Sequence, residues 1–245
     1  MTDRAVETSP QVYARIGGIL YLYIIVAGMF GEVFVRDKLV VSGDATATAN
    51  NIIASQLLWR ISIAGELLML VCSVALALIF YVLLGPVSKN LALLAVFFNL
   101  VELAIDAANK LNLFAALFLF GGAGYLKAFE PHQLHALAYL SLKLHDYGFG
   151  ISLVFFGFVC LMLGYLLFRS GYFPRALGVL MTIAGLSYLT NSFTLILAPT
   201  YSATISLVLV LAFIGETSLC LWLIVKGVNL PKWEEKASAW RVSGA

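Results

Sequence analysis

Six stretches of about 20 consecutive apolar residues, each long enough to cross roughly 30 Å of hydrocarbon, constrain this chain more than any other feature. They run over about 15–35, 59–84, 91–120, 145–168, 176–197 and 204–225. Lipid offers no hydrogen bonds to backbone amides, so each run is expected to fold as a helix that satisfies its own. Charged residues make up 11% of the 245, against roughly a quarter in a soluble domain. That is too little charge to coat a water-facing surface, so the outer surface faces lipid.

The expected fold is therefore an all-α bundle of six transmembrane helices in one domain spanning 1–245. The apolar run of the first span is longer than the usual signal-peptide core of about 7–15 residues, and Arg36-Asp37-Lys38 follows it in place of a cleavage site. It reads as an uncleaved span. Short links at 87–90, 169–175 and 198–203 join spans, with Pro174 and Pro199 at the later turns, where a residue lacking an amide N–H ends or starts a helix. Two links are longer. In 37–58, Ser42-Gly43-Asp44 caps a short helix through Ile52, Ile53 and Leu57. In 121–144, Glu130-Pro131 starts another, with His132, His135, Tyr139, Lys143 and Asp146 as a polar stripe opposite leucines. Both read as outer helices at the membrane interface. The segment 229–245, with Trp233 and Trp240 among mixed charges, reads as an interfacial or loose tail.

Basic residues orient the chain, since Lys and Arg collect on the cytoplasmic side. With six spans both termini share one side, which gathers Arg4, Arg15, Lys89, Arg169, Arg175, Lys226, Lys232, Lys236 and Arg241. The other side has Arg36, Lys38, Arg60, Lys127 and Lys143. Both termini are thus expected in the cytoplasm. The net charge of +2 carries no basic stripe of the kind that binds nucleic acid. Cys72, Cys160 and Cys220 lie in apolar runs and read as small apolar side chains rather than a disulfide framework.

Gly150, Gly157, Gly164, Gly171, Gly178 and Gly185 recur every seven residues. Seven residues is nearly two helical turns, so the glycines line one edge of the fourth and fifth spans and let backbones approach closely. The register also crosses the turn at Ser170-Gly171, where its continuity reads as coincidence.

Ionisable groups at membrane depth are the informative residues: Glu32, Glu66, Glu102, Asp106, Lys110, Asp146 and Glu216. Each costs about 2.5–3.5 kcal/mol on insertion scales unless paired or wetted. In the third span Asn99, Glu102, Asp106, Asn109 and Lys110 share one helix face. Arg60 opens the second span and Glu66 follows within two turns; His145-Asp146 open the fourth. Glu216 stands alone in the sixth. Glu32, Glu66 and Glu216 each follow a glycine. One reading makes Arg60 and Lys110 internal counter-ions that lock helix register. The other makes an outward-opening polar pocket of Glu66, Glu102, Asp106, Asn99, Asn109, His145, Asp146 and Glu216.

No Walker loop, dinucleotide fingerprint, His-Glu-x-x-His or Gly-x-Ser-x-Gly is present. His132 and His135 sit three apart and read as solvated interfacial histidines rather than metal ligands. His145-Asp146 is the better candidate for a functional histidine.

The run Gly164-Tyr165-Leu166 through Arg169-Ser170-Gly171-Tyr172-Phe173-Pro174-Arg175-Ala176-Leu177-Gly178-Val179-Leu180 resembles a bacterial membrane-protein family, domain of unknown function 4386. So do Ala14-Arg15-Ile16-Gly17-Gly18 with Leu20-Tyr21-Leu22, Gly43-Asp44 with Thr48 and Asn51-Ile52, and Leu221-Trp222-Leu223 with Lys226-Gly227. The resemblance covers about 13–228. Where that family carries an arginine before Leu100-Val101-Glu102, this chain has Asn99, which leaves Glu102 less well neutralised. The resemblance implies a multi-pass protein of the bacterial plasma membrane; it implies no catalytic residue, cofactor or substrate.

Taken together, the residues point to a non-enzymatic membrane protein that binds or moves a small solute, ion or lipid, with membrane lipids as its surroundings and no cofactor or metal. Two other readings stay open. One is a membrane-embedded hydrolase or transferase using His145-Asp146. The other is a structural or regulatory subunit whose charges only fix packing.

Overall fold

The computed structural model describes residues 9–121 and 123–243. Arg4 lies outside the described residues, as do the side chains of Trp240 and Arg241. Every regular element among the described residues is helical. Six helices are long and apolar enough to cross a membrane.

Helix α1, Pro10–Leu39, starts at Ser9, whose hydroxyl accepts the Gln11 amide at 3.3 Å. Its stretch Phe30–Arg36 widens to π-helical geometry. The short α2, Ala45–Ala54, is capped by Asp44, whose carboxylate accepts the Ala47 amide at 2.8 Å, as the sequence indicates. Next come α3, Gln56–Leu84, and α4, Lys89–Leu119, the latter capped by Ser88. Helix α5, Pro131–Ser170, begins in a Glu130–Gln133 capping box and ends at Gly171, whose φ of 77° only glycine adopts readily. Helices α6, Arg175–Leu197, and α7, Pro199–Val225, complete the set of spans, and α8, Leu230–Ser243, follows.

The second outer helix expected in the sequence is not a separate element. It is the first part of α5, which runs for 40 residues without a break, about 60 Å at 1.5 Å per residue. No proline or glycine interrupts the chain between Pro131 and Gly148, so nothing ends the helix where the apolar run begins. The first outer helix, α2, is a separate element: Thr48, Ala49 and Ile52 are buried, and the helix packs against the first part of α5.

The spans form a ring. Taken around it, α1 packs against α3, α3 against α4, α4 against α5, α5 against α6, α6 against α7, and α7 back against α1. Leu68, Val71, Leu78, Phe97, Leu186 and Leu221 are exposed around the outside, whereas Glu66, Asp106 and Lys110 are buried. This inversion of the soluble pattern follows from lipid being the solvent.

The tightest seam joins α5 and α6. A Cβ on Gly178 would come within 2.7 Å of the Gly164 carbonyl oxygen, and one on Gly185 as near that of Gly157. Within each pair the two glycines are equally far in sequence from Gly171, which forms the turn. The seven-residue register therefore continues through the turn because an antiparallel hairpin folds about Gly171, not by coincidence. Gly157 and Gly164 each meet their mirror partner, while Gly150 meets Leu195.

At the end carrying the chain termini, α8 is tied down rather than loose. Trp233 Nε1 donates to the Leu83 carbonyl at 3.0 Å, and Lys236 Nζ donates to that of Arg169 at 2.8 Å. Both satisfy orphan carbonyls at helix ends. Gln11 links α1 to the Lys226 carbonyl and the Val228 amide, each at 2.9 Å.

Candidate functional site

Three tiers of side chains occupy the ring interior. Nearest the α2 end is an ion network. Arg36 is carried there by the π-helical stretch of α1, Glu66 by α3, and Asp106 and Lys110 by α4. The Arg36 guanidinium lies 2.6 Å from Glu32 and 2.5 Å from Glu66. Lys110 Nζ lies 2.7 Å from the other Glu66 oxygen and 3.2 Å from Asp106. Glu66, Asp106 and Lys110 side chains are 1–3% exposed and Arg36 12%, while Glu32 at 50% marks the rim. Three acids, Glu32 at the rim with Glu66 and Asp106 buried, thus share two bases, Arg36 and Lys110. These groups do not stand open as a polar pocket.

Gly31 makes that arrangement possible. A Cβ there would overlap the Glu66 carboxylate, so the glycine before Glu32 serves the acid of the neighbouring helix rather than its own. Arg60 is not the internal counter-ion the sequence suggested: it is exposed and forms no ion pair among the described residues. Arg36 fills that role. One signal was available in the sequence, because Arg36 lies four residues after Glu32, the spacing of a helical ion pair.

Asn109 and His145 flank the network. The Asn109 amide donates to His145 Nδ1 at 3.0 Å and to the His145 carbonyl at 2.9 Å, while its own oxygen accepts from Asn112 at 2.9 Å. With Nδ1 accepting, the ring proton sits on Nε2. His145 is buried, but Asp146 is half exposed and paired with Lys143 at 3.2 Å. Adjacent helical residues point about 100° apart, so His145 and Asp146 do not act as one unit. Among the described residues no three His, Cys, Asp or Glu side chains converge in a way that could hold a metal.

The middle tier is different in kind. Glu102 lies about 20 Å along α4 from Lys89, and Glu216 about 14 Å along α7 from Val225, at 1.5 Å per residue. Asn99 Nδ2 donates to Glu102 at 3.3 Å. The Tyr188 hydroxyl of α6 donates to Glu216, and Tyr21 of α1 also adjoins that carboxyl. Glu102 and Glu216 lie within electrostatic reach of each other. Neither has a cation within ion-pair distance among the described residues, and both are more than nine-tenths buried.

The third tier, toward the terminal end, is a cavity of about 60 Å³. By the same measure one water needs about 10–15 Å³, so it has room for a few atoms of a short chain. Its wall is apolar, with Leu76 and Phe80 of α3, Ala92 and Ala95 of α4, and Phe156 and Leu163 of α5. Asn99 and Tyr21 are among its polar lining residues. Asn99 is 8% exposed and its oxygen has no hydrogen-bond partner, which is costly for a buried acceptor. Periodicity puts Asn99 on the face of Glu102, but nothing in the sequence foretold the cavity, which takes residues from four helices.

A closed ring of six spans with ion-paired and unpaired acids inside defines an integral, multi-pass membrane protein. Its sequence matches the profile of domain of unknown function 4386 over residues 16–227, and the chain belongs to that family. It is similar to an uncharacterized protein of Archaeoglobus fulgidus, 31% identical over 169 residues, covering 69% of this chain and 85% of the relative. That relative is archaeal. No solved structure matches the chain.

Proposed function

We propose that this protein binds a small, largely apolar molecule in the intramembrane cavity between α1, α3, α4 and α5. In this reading it sits in the plasma membrane with both termini in the cytoplasm, and the six spans make one domain. The observation that carries the reading is the Asn99 oxygen, a buried acceptor without a partner on a residue that lines a preformed apolar cavity. Such cavities with a few placed polar groups are the usual form of a ligand site. The excess of Lys and Arg at the terminal end supports the orientation. The ion network supports binding from the cavity side rather than through the α2 end, because its buried acids, Glu66 and Asp106, already hold Arg36 and Lys110 as partners.

Purified protein in lipid nanodiscs, titrated with hexan-1-ol, tests this. The wild type should bind saturably. Ala95→Phe, which fills the cavity, should lose binding, and Asn99→Leu should weaken it. Equal uptake by all three would count as partition into lipid and end the reading.

A further inference from the structure

The middle tier and the cavity beneath it share a wall, and their chemistry is complementary to one class of ligand. Of the four acids buried in the ring, Glu66 and Asp106 are matched by Arg36 and Lys110. Glu102 and Glu216 are left over. An ionised carboxylate inside the bilayer without a partner is expensive, so this tier is stable only with protons on it or with a positive charge beside it. Asn99 and Tyr21 line the apolar cavity, and these two residues join it to the acids: Asn99 through its hydrogen bond to Glu102, Tyr21 by adjoining Glu216. The Asn99 oxygen lacks a donor, and an ammonium supplies one.

Resting on the cavity reading above, we propose that the ligand is a lipophilic cation, an alkyl amine whose chain fills the cavity and whose ammonium sits beside Asn99 and Tyr21, neutralising the Glu102–Glu216 pair. Its arrival displaces protons from the pair, so the site exchanges protons for the cation.

The groups that face the pair are known from each helix. Tyr188 of α6 and Tyr21 of α1 adjoin Glu216. Cys160 of α5 lies within reach of both acids, and Cys220 of α7 within reach of Glu216. On α4 itself, Asp106 and Lys110 follow one and two turns beyond Glu102, and Glu66 of α3 is held by Lys110 and Arg36. Lys110 is the nearest cation along α4, about 12 Å from Glu102 on the helix axis, and it is already engaged.

The experiment compares hexylamine with hexan-1-ol, equal in chain length and different in charge, on the full chain in nanodiscs at pH 8 and pH 5. The amine is cationic at both values, as a lysine side chain is. The proposal expects the amine to bind about tenfold more tightly than the alcohol at pH 8 and to lose that advantage at pH 5, where protons compete. The alcohol should be indifferent to pH. Glu102→Gln, Glu216→Gln and the double variant should each reduce the amine's advantage and leave alcohol binding alone. If a variant fails to fold, the wild-type pH comparison still decides. Equal binding of amine and alcohol at pH 8 overturns the cation proposal and leaves the cavity reading standing, as does an amine advantage that survives in the double variant. Binding of neither removes both.

Discussion

Replacing Lys110 by methionine is the sharpest perturbation of the ion network, because Lys110 serves two acids that differ in what remains afterwards. Glu66 keeps Arg36 at 2.5 Å. Asp106 keeps nothing, since Lys110 is its one ion-pair partner among the described residues. The Lys110 and Asp106 side chains are 3% and 2% exposed, so water cannot take over. Removing one partner of a buried pair costs about 3–5 kcal/mol, and a lone acid at membrane depth about 2.5–3.5 kcal/mol, so the two scales agree on about 3 kcal/mol. For a chain of this length each kcal/mol lowers Tm by roughly 2–4 °C, which gives a fall of about 6–12 °C for Lys110→Met. Adding Asp106→Asn removes the orphaned charge and should recover most of that loss. Tryptophan fluorescence during thermal unfolding in nanodiscs reads both. A fall for Lys110→Met within about 2 °C of zero, or a double variant no better than the single, would refute the claim that Asp106 depends on Lys110.

Three further outcomes follow from the packing. Gly164→Val should destabilise the α5–α6 hairpin by at least the 1–3 kcal/mol typical of overpacking, because Gly178 stands directly across the seam; the melting midpoint checks it. Gly31→Ala should disturb the ion network as much as Glu66→Gln does, since a methyl there meets the Glu66 carboxylate, and comparing the two variants' Tm values decides. Cys160 and Cys220, both fully buried, should resist a membrane-permeant maleimide in the folded protein and react after denaturation, which mass spectrometry would show.

The sequence reveals spans more readily than partners, for physical reasons visible in particular residues. Apolar length and Ser, Asp, Pro or Gly at the ends are local properties, so the caps at Asp44 and the stop at Gly171 could be read directly. The unbroken α5 was missed because a change from polar to apolar composition does not end a helix; only a breaker does, and none stands before Gly148. Lys110 was recognisable as an internal counter-ion because it shares a helix with Asp106. Arg36 was not, because its distance from Glu66 depends on how α1 crosses α3 and on the wider turn at Phe30–Arg36. The glycine ladder was visible as a seam on each helix. Its symmetry about Gly171 became meaningful once the two helices were known to be antiparallel neighbours. The cavity lay beyond any single-helix pattern.

An experimental map of the protein in nanodiscs, at a resolution that shows side chains, bears most directly on the claim that the ring turns its charges inward around a usable cavity. It should place Glu102 and Glu216 inside the ring, with elongated density between Phe80, Phe156 and Leu163 ending at the Asn99 oxygen when hexylamine is present. Glu102 or Glu216 directed at lipid tails, or helices collapsed onto one another where the cavity should be, would contradict it.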